Sequence, residues 1–157
     1  MRPRTRILGI DFGTVRIGLA VSDPDRKFAF PFDTHERAGS EADARFFREL
    51  VESEEIALLV VGLPLHLDGR EGVKAAEARA FGVWLARVVE LPVVFWDERF
   101  TTVEAEAALW NAGLTHKKRK EKRDRVAAQI LLQSYLDAGC PDEQPPTPLD
   151  DPVEPSD

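Results

Sequence analysis

The chain has 157 residues, 43% of them apolar, which is room for one domain with a proper core and too few for two. One cysteine, Cys140, excludes an internal disulfide and a cysteine zinc cluster, and the three histidines are scattered; no run of about 18 apolar residues is long enough to span a membrane, and Met1-Arg2-Pro3-Arg4-Thr5-Arg6 lacks the apolar stretch of a signal peptide, so a cytoplasmic protein is expected. The net charge of −7 would argue against nucleic acid, but it sits in the tail: from Pro141 onward there are six acids and no Lys or Arg, whereas residues 1–140 carry 21 basic and 22 acidic groups.

In chain order, two apolar runs, Arg6 to Asp11 and Arg16 to Ser22, flank Gly13 to Arg16 and read as a hairpin. The first run ends in Asp11, and an ionisable group interrupting an apolar strand costs desolvation unless a cation meets it. That makes Asp11 a candidate metal ligand, with an Asx-type turn as the alternative. Gly9, Gly13 and Gly18 admit close approach of another backbone or a ligand. Lys27 to Phe32 follows as a third strand, and Pro31 marks it as an edge. Ser40 with Asp43 reads as a capping box opening a helix to about Glu54, whose apolar positions are Ala42, Phe46, Leu50 and Val51.

The period then changes. Ile56 to Val61 is a continuous apolar run, as in a parallel strand covered on both faces, and it stops at Gly62-Leu63-Pro64. A helix from about Glu71 to Val89 presents Val73, Ala76, Ala80, Trp84 and Val88 near one face. Val93 to Trp96 is a second buried-type strand and delivers Asp97-Glu98-Arg99. Thr101 with Glu104 opens a third helix that stops near Gly113. Seven basic residues then fall between positions 117 and 125, read in their first part as a mobile loop, before a last helix from about Asp124 to Ala138. On that helix Ala127, Ala128, Leu131, Leu132 and Tyr135 form the apolar face, while Arg125, Gln129 and Gln133 face water. The Pro-rich, acidic stretch 141–157 is expected to be disordered.

The fold class is therefore α/β, a five-stranded mixed sheet of three antiparallel and two parallel strands flanked by helices. Right-handed crossovers place the fourth strand beside the first and the fifth beyond it, the order 3-2-1-4-5. Asp11 and the Asp97-Glu98 pair then share the rim where open α/β sheets bind ligands, and Asp124, at the start of the last helix, can reach it. Three carboxylates meeting without a basic partner repel one another, a conflict relieved by protonation or by hard cations; oxygen-only ligands favour Mg²⁺ or Mn²⁺. Two such ions roughly 4 Å apart would serve phosphodiester hydrolysis, and the basic run beside the rim suits a polyphosphate backbone. A nuclease follows. Alternation favours Glu98 over Asp97 as the second carboxylate; Asp124 reads equally as an N-cap, and Arg16 as a phosphate contact or a brace for the hairpin.

Gly9 to Asp23, Val60 to Leu65 with Asp68-Gly69, Asp97 to Thr102 and Asp124 to Leu132 occur in the order and closely resemble the motifs of the YqgF (RuvX) family. The resemblance covers residues 6–138. It implies a ribonuclease-H-like fold related to RuvC-type Holliday junction resolvases, with residues 1–140 forming one nuclease domain. It further implies a two-metal-ion hydrolase in 5′-end maturation of pre-16S rRNA, working on structured RNA, with resolution of branched DNA junctions as the older proposal. Asp11, Glu98 and Asp124 match the acidic catalytic and metal-binding positions, while Lys117, Lys118, Arg119, Lys120, Lys122 and Arg123 match a basic segment; with Arg16 and Arg99 these are the expected nucleic-acid contacts. The chain departs from the resolvases in lacking an acid at Gly62-Leu63-Pro64. A non-catalytic RNA-binding role in ribosome assembly is the alternative from another class. A monomer or a homodimer is compatible with these readings, a symmetric four-way junction requiring the dimer.

Overall fold

A computed structural model describes residues 4–100 and 115–142. The elements run β1 (Arg6–Asp11), β2 (Arg16–Ser22), β3 (Ala29–Glu36), α1 (Ser40–Ser53), β4 (Ile56–Leu63), α2 (Val73–Val89), β5 (Val93–Asp97), a short 3-10 turn (Glu98–Phe100) and α3 (His116–Asp137). The sheet has the order β3-β2-β1-β4-β5, with β1, β2 and β3 antiparallel and β1, β4 and β5 parallel. The helix expected from Thr101 to Gly113 and the tail beyond 142 lie outside the described residues. Among those described, no helix is long and apolar enough to cross a membrane.

Alternation along the strands builds two cores. Leu8, Ile10, Ile17, Leu19 and Val21 face α1 and α2 together with Leu59, Val61 and Leu63 of β4; Phe47, Phe81 and Leu85 close that layer. On the other face Ile7, Ala20, Val60 and Val94 pack against Ala128, Leu132, Tyr135 and Leu136 of α3. The small residues of β2 let α3 lie almost on the sheet. A Cβ at Gly18 would run into the carbonyl of Asp124.

Several local expectations are corrected. α3 begins eight residues before Asp124, capped by the Thr115 side chain, which accepts from Lys118 N–H at 3.3 Å. The basic segment is therefore its first turns and no loop: Lys, Arg and Glu are good helix formers, which outweighs the unfavourable placement of positive charge at a helix N-terminus. Asp124 consequently sits in the helix interior, away from any N-cap. α1 has Gly39 at its N-cap with no side-chain cap; Asp43 turns inward, so Ser40 and Asp43 form no capping box. α2 buries Ala75, Ala78, Phe81, Gly82, Leu85 and Val89, a face rotated from the expected one, and Val73 is 76% exposed. Apolar residues ring most of this helix, and the choice of face is made by Gly82, where a Cβ would lie 2.5 Å from the Phe95 ring.

β3 is an edge strand, as Pro31 indicated, but extends to Glu36. Leu19 pairs with Asp33 and Ala20 with Pro31, so a bulge occupies the step between them. Gln129 and Gln133, expected to face water, lie over the strand instead. Ala29 N–H donates to Gln133 Oε1 (2.9 Å), Gln129 Nε2 donates to the Ala29 carbonyl (3.1 Å), and Gln133 Nε2 to that of Lys27 (2.9 Å).

Candidate active site at the sheet rim

β1 ends at Asp11, β4 at Leu63 and β5 at Asp97, so the carboxyl ends of three parallel strands open on one rim. Asp97 is held by Arg99 in a fork, Nε lying 3.0 and 2.8 Å from its two oxygens and Nη2 2.6 Å from Oδ2, while Arg99 Nη1 reaches the Leu67 carbonyl at 3.0 Å. Through that pairing Arg99, expected as a phosphate contact, braces the rim, and Glu98 is the carboxylate that lines the cavity beside Asp11. Glu98 extends across β4. A Cβ at Gly62 would collide with Glu98 Oε1, so the absence of a side chain there makes room for an acid delivered by the neighbouring strand.

Asp11 and Glu98 are hydrogen-bonded to each other, which pushes the Asp11 pKa up and that of Glu98 down. Burial raises the Asp11 pKa well above the usual carboxylate range, and the charges of Glu98 and Asp124 push it the same way, with Arg123 opposing. Burial also raises Glu98, aided by Asp97, against the pull of its bond from Asp11. Asp124 is thus near enough to act on Asp11, although its Oδ2 accepts from Arg16 Nε at 2.8 Å. Arg16, expected as a phosphate contact or a brace for the hairpin, ties β2 to α3 through this pair.

Thr34 Oγ1 donates to the Glu121 carbonyl and fixes the same helix one turn earlier. Lys117, Lys118, Arg119, Lys120 and Arg123 are exposed on the first turns of α3, and Lys122 is half-buried. A cavity of about 370 Å³ opens on the carboxylates, lined by Asp11, Phe12, Thr14, Pro64, Lys74 and Glu98 among others. Lys74 escaped the sequence reading. Its signal is positional: it stands in the first turn of the helix that follows β4, and such turns face the rim.

Two hydrogen-bonded carboxylates buried side by side form an all-oxygen donor set, which fits hard divalent ions. Among the described residues no three His, Cys, Asp or Glu close around one point; Asp124 holds Arg16 instead. The fit is that of a two-carboxylate site with a third carboxylate alongside.

A family model described as RuvX, Holliday junction resolvase, matches residues 5–138. A Rhodopirellula baltica protein titled "Putative pre-16S rRNA nuclease" is 48% identical over 133 residues, covering 85% of this chain and 77% of its own. One of the same title from Maridesulfovibrio salexigens is 44% identical over 131 residues, covering 83% and 97%. In fold, the chain resembles Thermus thermophilus RuvC in complex with a Holliday junction substrate (TM-score 0.55, 16% identity, 92% of this chain and 99% of that one). It likewise resembles the fowlpox virus resolvase bound to Holliday junction DNA (TM-score 0.54, 10% identity, 85% and 97%). The sheet order and these neighbours are those of the ribonuclease-H-like fold.

Proposed function

We propose, from the premise that this chain belongs to the RuvX family, that it is a divalent-metal-dependent cytoplasmic nuclease that cuts structured RNA in 5′-end processing of pre-16S rRNA. The observation that carries the reading is the buried Asp11–Glu98 pair at the sheet rim, with Asp124 beside it and the basic turns of α3 adjoining. The titles of the relatives support the substrate.

Asp11 and Glu98 would hold Mg²⁺ or Mn²⁺ through their carboxylate oxygens, with Asp124, now paired with Arg16, as the third carboxylate alongside. When bound, the ions polarise the phosphate, lower the pKa of the attacking water and stabilise the leaving oxygen. Lys117 to Arg123 hold the phosphate backbone: a helix N-terminus already favours anions, and here several side-chain cations add to it. Lys74, which lines the same cavity as Asp11 and Glu98, adds a cation there for the substrate phosphate.

The test is cleavage of an RNA spanning the precursor 5′ end, with a four-way DNA junction in parallel. Cutting of the RNA with Mg²⁺ or Mn²⁺, none in chelator, and loss of at least about 100-fold in Asp11→Asn with unchanged folding are expected. Equal cutting by Asp11→Asn overturns the site. Cutting of the junction alone, by a dimer, overturns the substrate in favour of the resolvase reading named in the family description.

A further inference from the structure

Beside the carboxylate cavity, and sharing Phe12, Thr14 and Glu77 with it, lies a second cavity of about 380 Å³ between the β1–β2 turn, α1 and α2. Its lining is aromatic and cationic. The Arg37 guanidinium carbon stands 5.2 Å from the centre of the Phe12 ring and 5.8 Å from that of Phe81, and Trp84 adds a further ring to the wall. Asp43 also lines it and is 1% exposed. His35 Nε2 at 2.8 Å and Ala38 N–H at 3.0 Å both bond Oδ1. Oδ2 is buried with no hydrogen-bond partner, since Arg37 Nε stops 3.6 Å away. Burial opposes ionisation of Asp43, but those bonds and the nearby charges outweigh it and hold its pKa below the usual value. An ionised oxygen buried without a donor is rare in folded proteins and asks for one from outside.

We infer that this cavity is a subsite for one unpaired nucleobase of the strand being cut, guanine before the others, an inference that rests on the nuclease reading above. Flat rings and a guanidinium offer stacking surfaces to any base, as single-stranded RNA recognition commonly uses them. The edge is read by acids. Guanine carries adjacent N1–H and N2–H donors that match the acceptors Asp43 and Glu77; cytosine and adenine offer an exocyclic amine beside an acceptor, which an ionised carboxylate repels. The shared residues put this base next to the scissile phosphate, so the favoured substrate has a nucleotide outside a helix at that point.

The full chain is titrated with GMP, CMP and ribose 5-phosphate, following tryptophan emission, alongside Trp84→Phe, Glu77→Gln and Asp11→Asn. Quenching by GMP at a dissociation constant at least about fivefold lower than for CMP, with no response to ribose 5-phosphate, is expected. Trp84→Phe should lose the signal and Glu77→Gln should weaken GMP about tenfold. Because Glu77 is exposed on α2, its substitution leaves folding intact. Equal responses to all three compounds, or quenching that survives Trp84→Phe, overturn the subsite. Cleavage separates the two readings: no GMP response in wild type, with cleavage present and lost in Asp11→Asn, removes the subsite alone, and a normal GMP response in a wild type that cuts neither RNA nor junction with Mg²⁺ or Mn²⁺ removes the nuclease reading and leaves only a guanine site. A guanine within a short RNA bound with Ca²⁺ in place of Mg²⁺ should bind more tightly than free GMP; the reverse order marks a site for free nucleotides and overturns the substrate-strand assignment.

Discussion

Replacing Gly18 by Ala tests whether the last helix and the Asp124 carboxylate it carries are seated as described. The new Cβ would fall within the Asp124 carbonyl group, and even the Asp124 Cα would be 3.1 Å away. The obstacle is backbone, so no rotamer relieves it, and α3 must retreat from β2 by about 1 Å, enough to forfeit a quarter to a half of the dispersion energy of the atoms that separate. The Arg16–Asp124 pair at 2.8 Å and the Thr34–Glu121 bond stretch with it. Overpacking costs about 1–3 kcal/mol, and a rigid backbone partner puts this case at the upper end, about 3 kcal/mol. Urea denaturation followed by circular dichroism should show a lower midpoint at unchanged slope. Gly9→Ala is the graded comparison: its Cβ would meet the Leu132 Cβ at 2.8 Å and the Ala128 carbonyl oxygen at 3.3 Å, against overlap with the Asp124 carbonyl oxygen at Gly18, so the same helix is displaced less and the loss should be smaller. A Gly18→Ala variant within about 0.5 kcal/mol of wild type, below what overpacking costs, would refute the seating of α3.

Asp11→Asn should stabilise the metal-free protein at neutral pH. Above about pH 4 the unfolded chain's Asp11 ionises while the folded chain, with its raised pKa, keeps the proton, so stability falls as pH rises until the native group also titrates. The difference between wild type and Asp11→Asn across pH 4–8 isolates that slope, and parallel curves would contradict it. Arg16→Met removes a cation 2.8 Å from Asp124, both groups being partly exposed, so Mn²⁺ should bind about five- to tenfold more tightly by calorimetry; weaker binding would show that Arg16 positions Asp124 for the metal. Changing Lys117, Lys118 and Arg119 together to Gln should lower RNA affinity and reduce the slope of log K against log salt by about 2, as measured by fluorescence anisotropy.

The strand order was legible because connection rules act on element sequence, and Asp11 and Glu98 because ionisable groups at strand ends stand out against apolar runs. Gly62 was read as a breaker, and its second role, admitting Glu98, depends on the neighbouring strand. Arg16 could not be assigned because its partner lies 108 residues away. The start of α3 was hidden by like charge, which resembles a loop until the Thr115 cap and the packing of Val126 onward are known. The face of α2 was misread because apolar residues surround it and only contact with Phe95 selects among them. Asp43 was taken as a capping residue, and its turn toward His35 requires β3 to be in place.

The two glutamines of α3 that reach over β3 fill the outward-pointing hydrogen-bond positions at Ala29 and Lys27, and Pro31 offers no N–H beyond them. One end of the sheet border open to recruitment by another molecule's extended segment is thereby occupied by amide side chains. The helix whose first turns carry the clustered lysines and arginines therefore also guards, farther along its length, one end of an exposed strand against unwanted pairing.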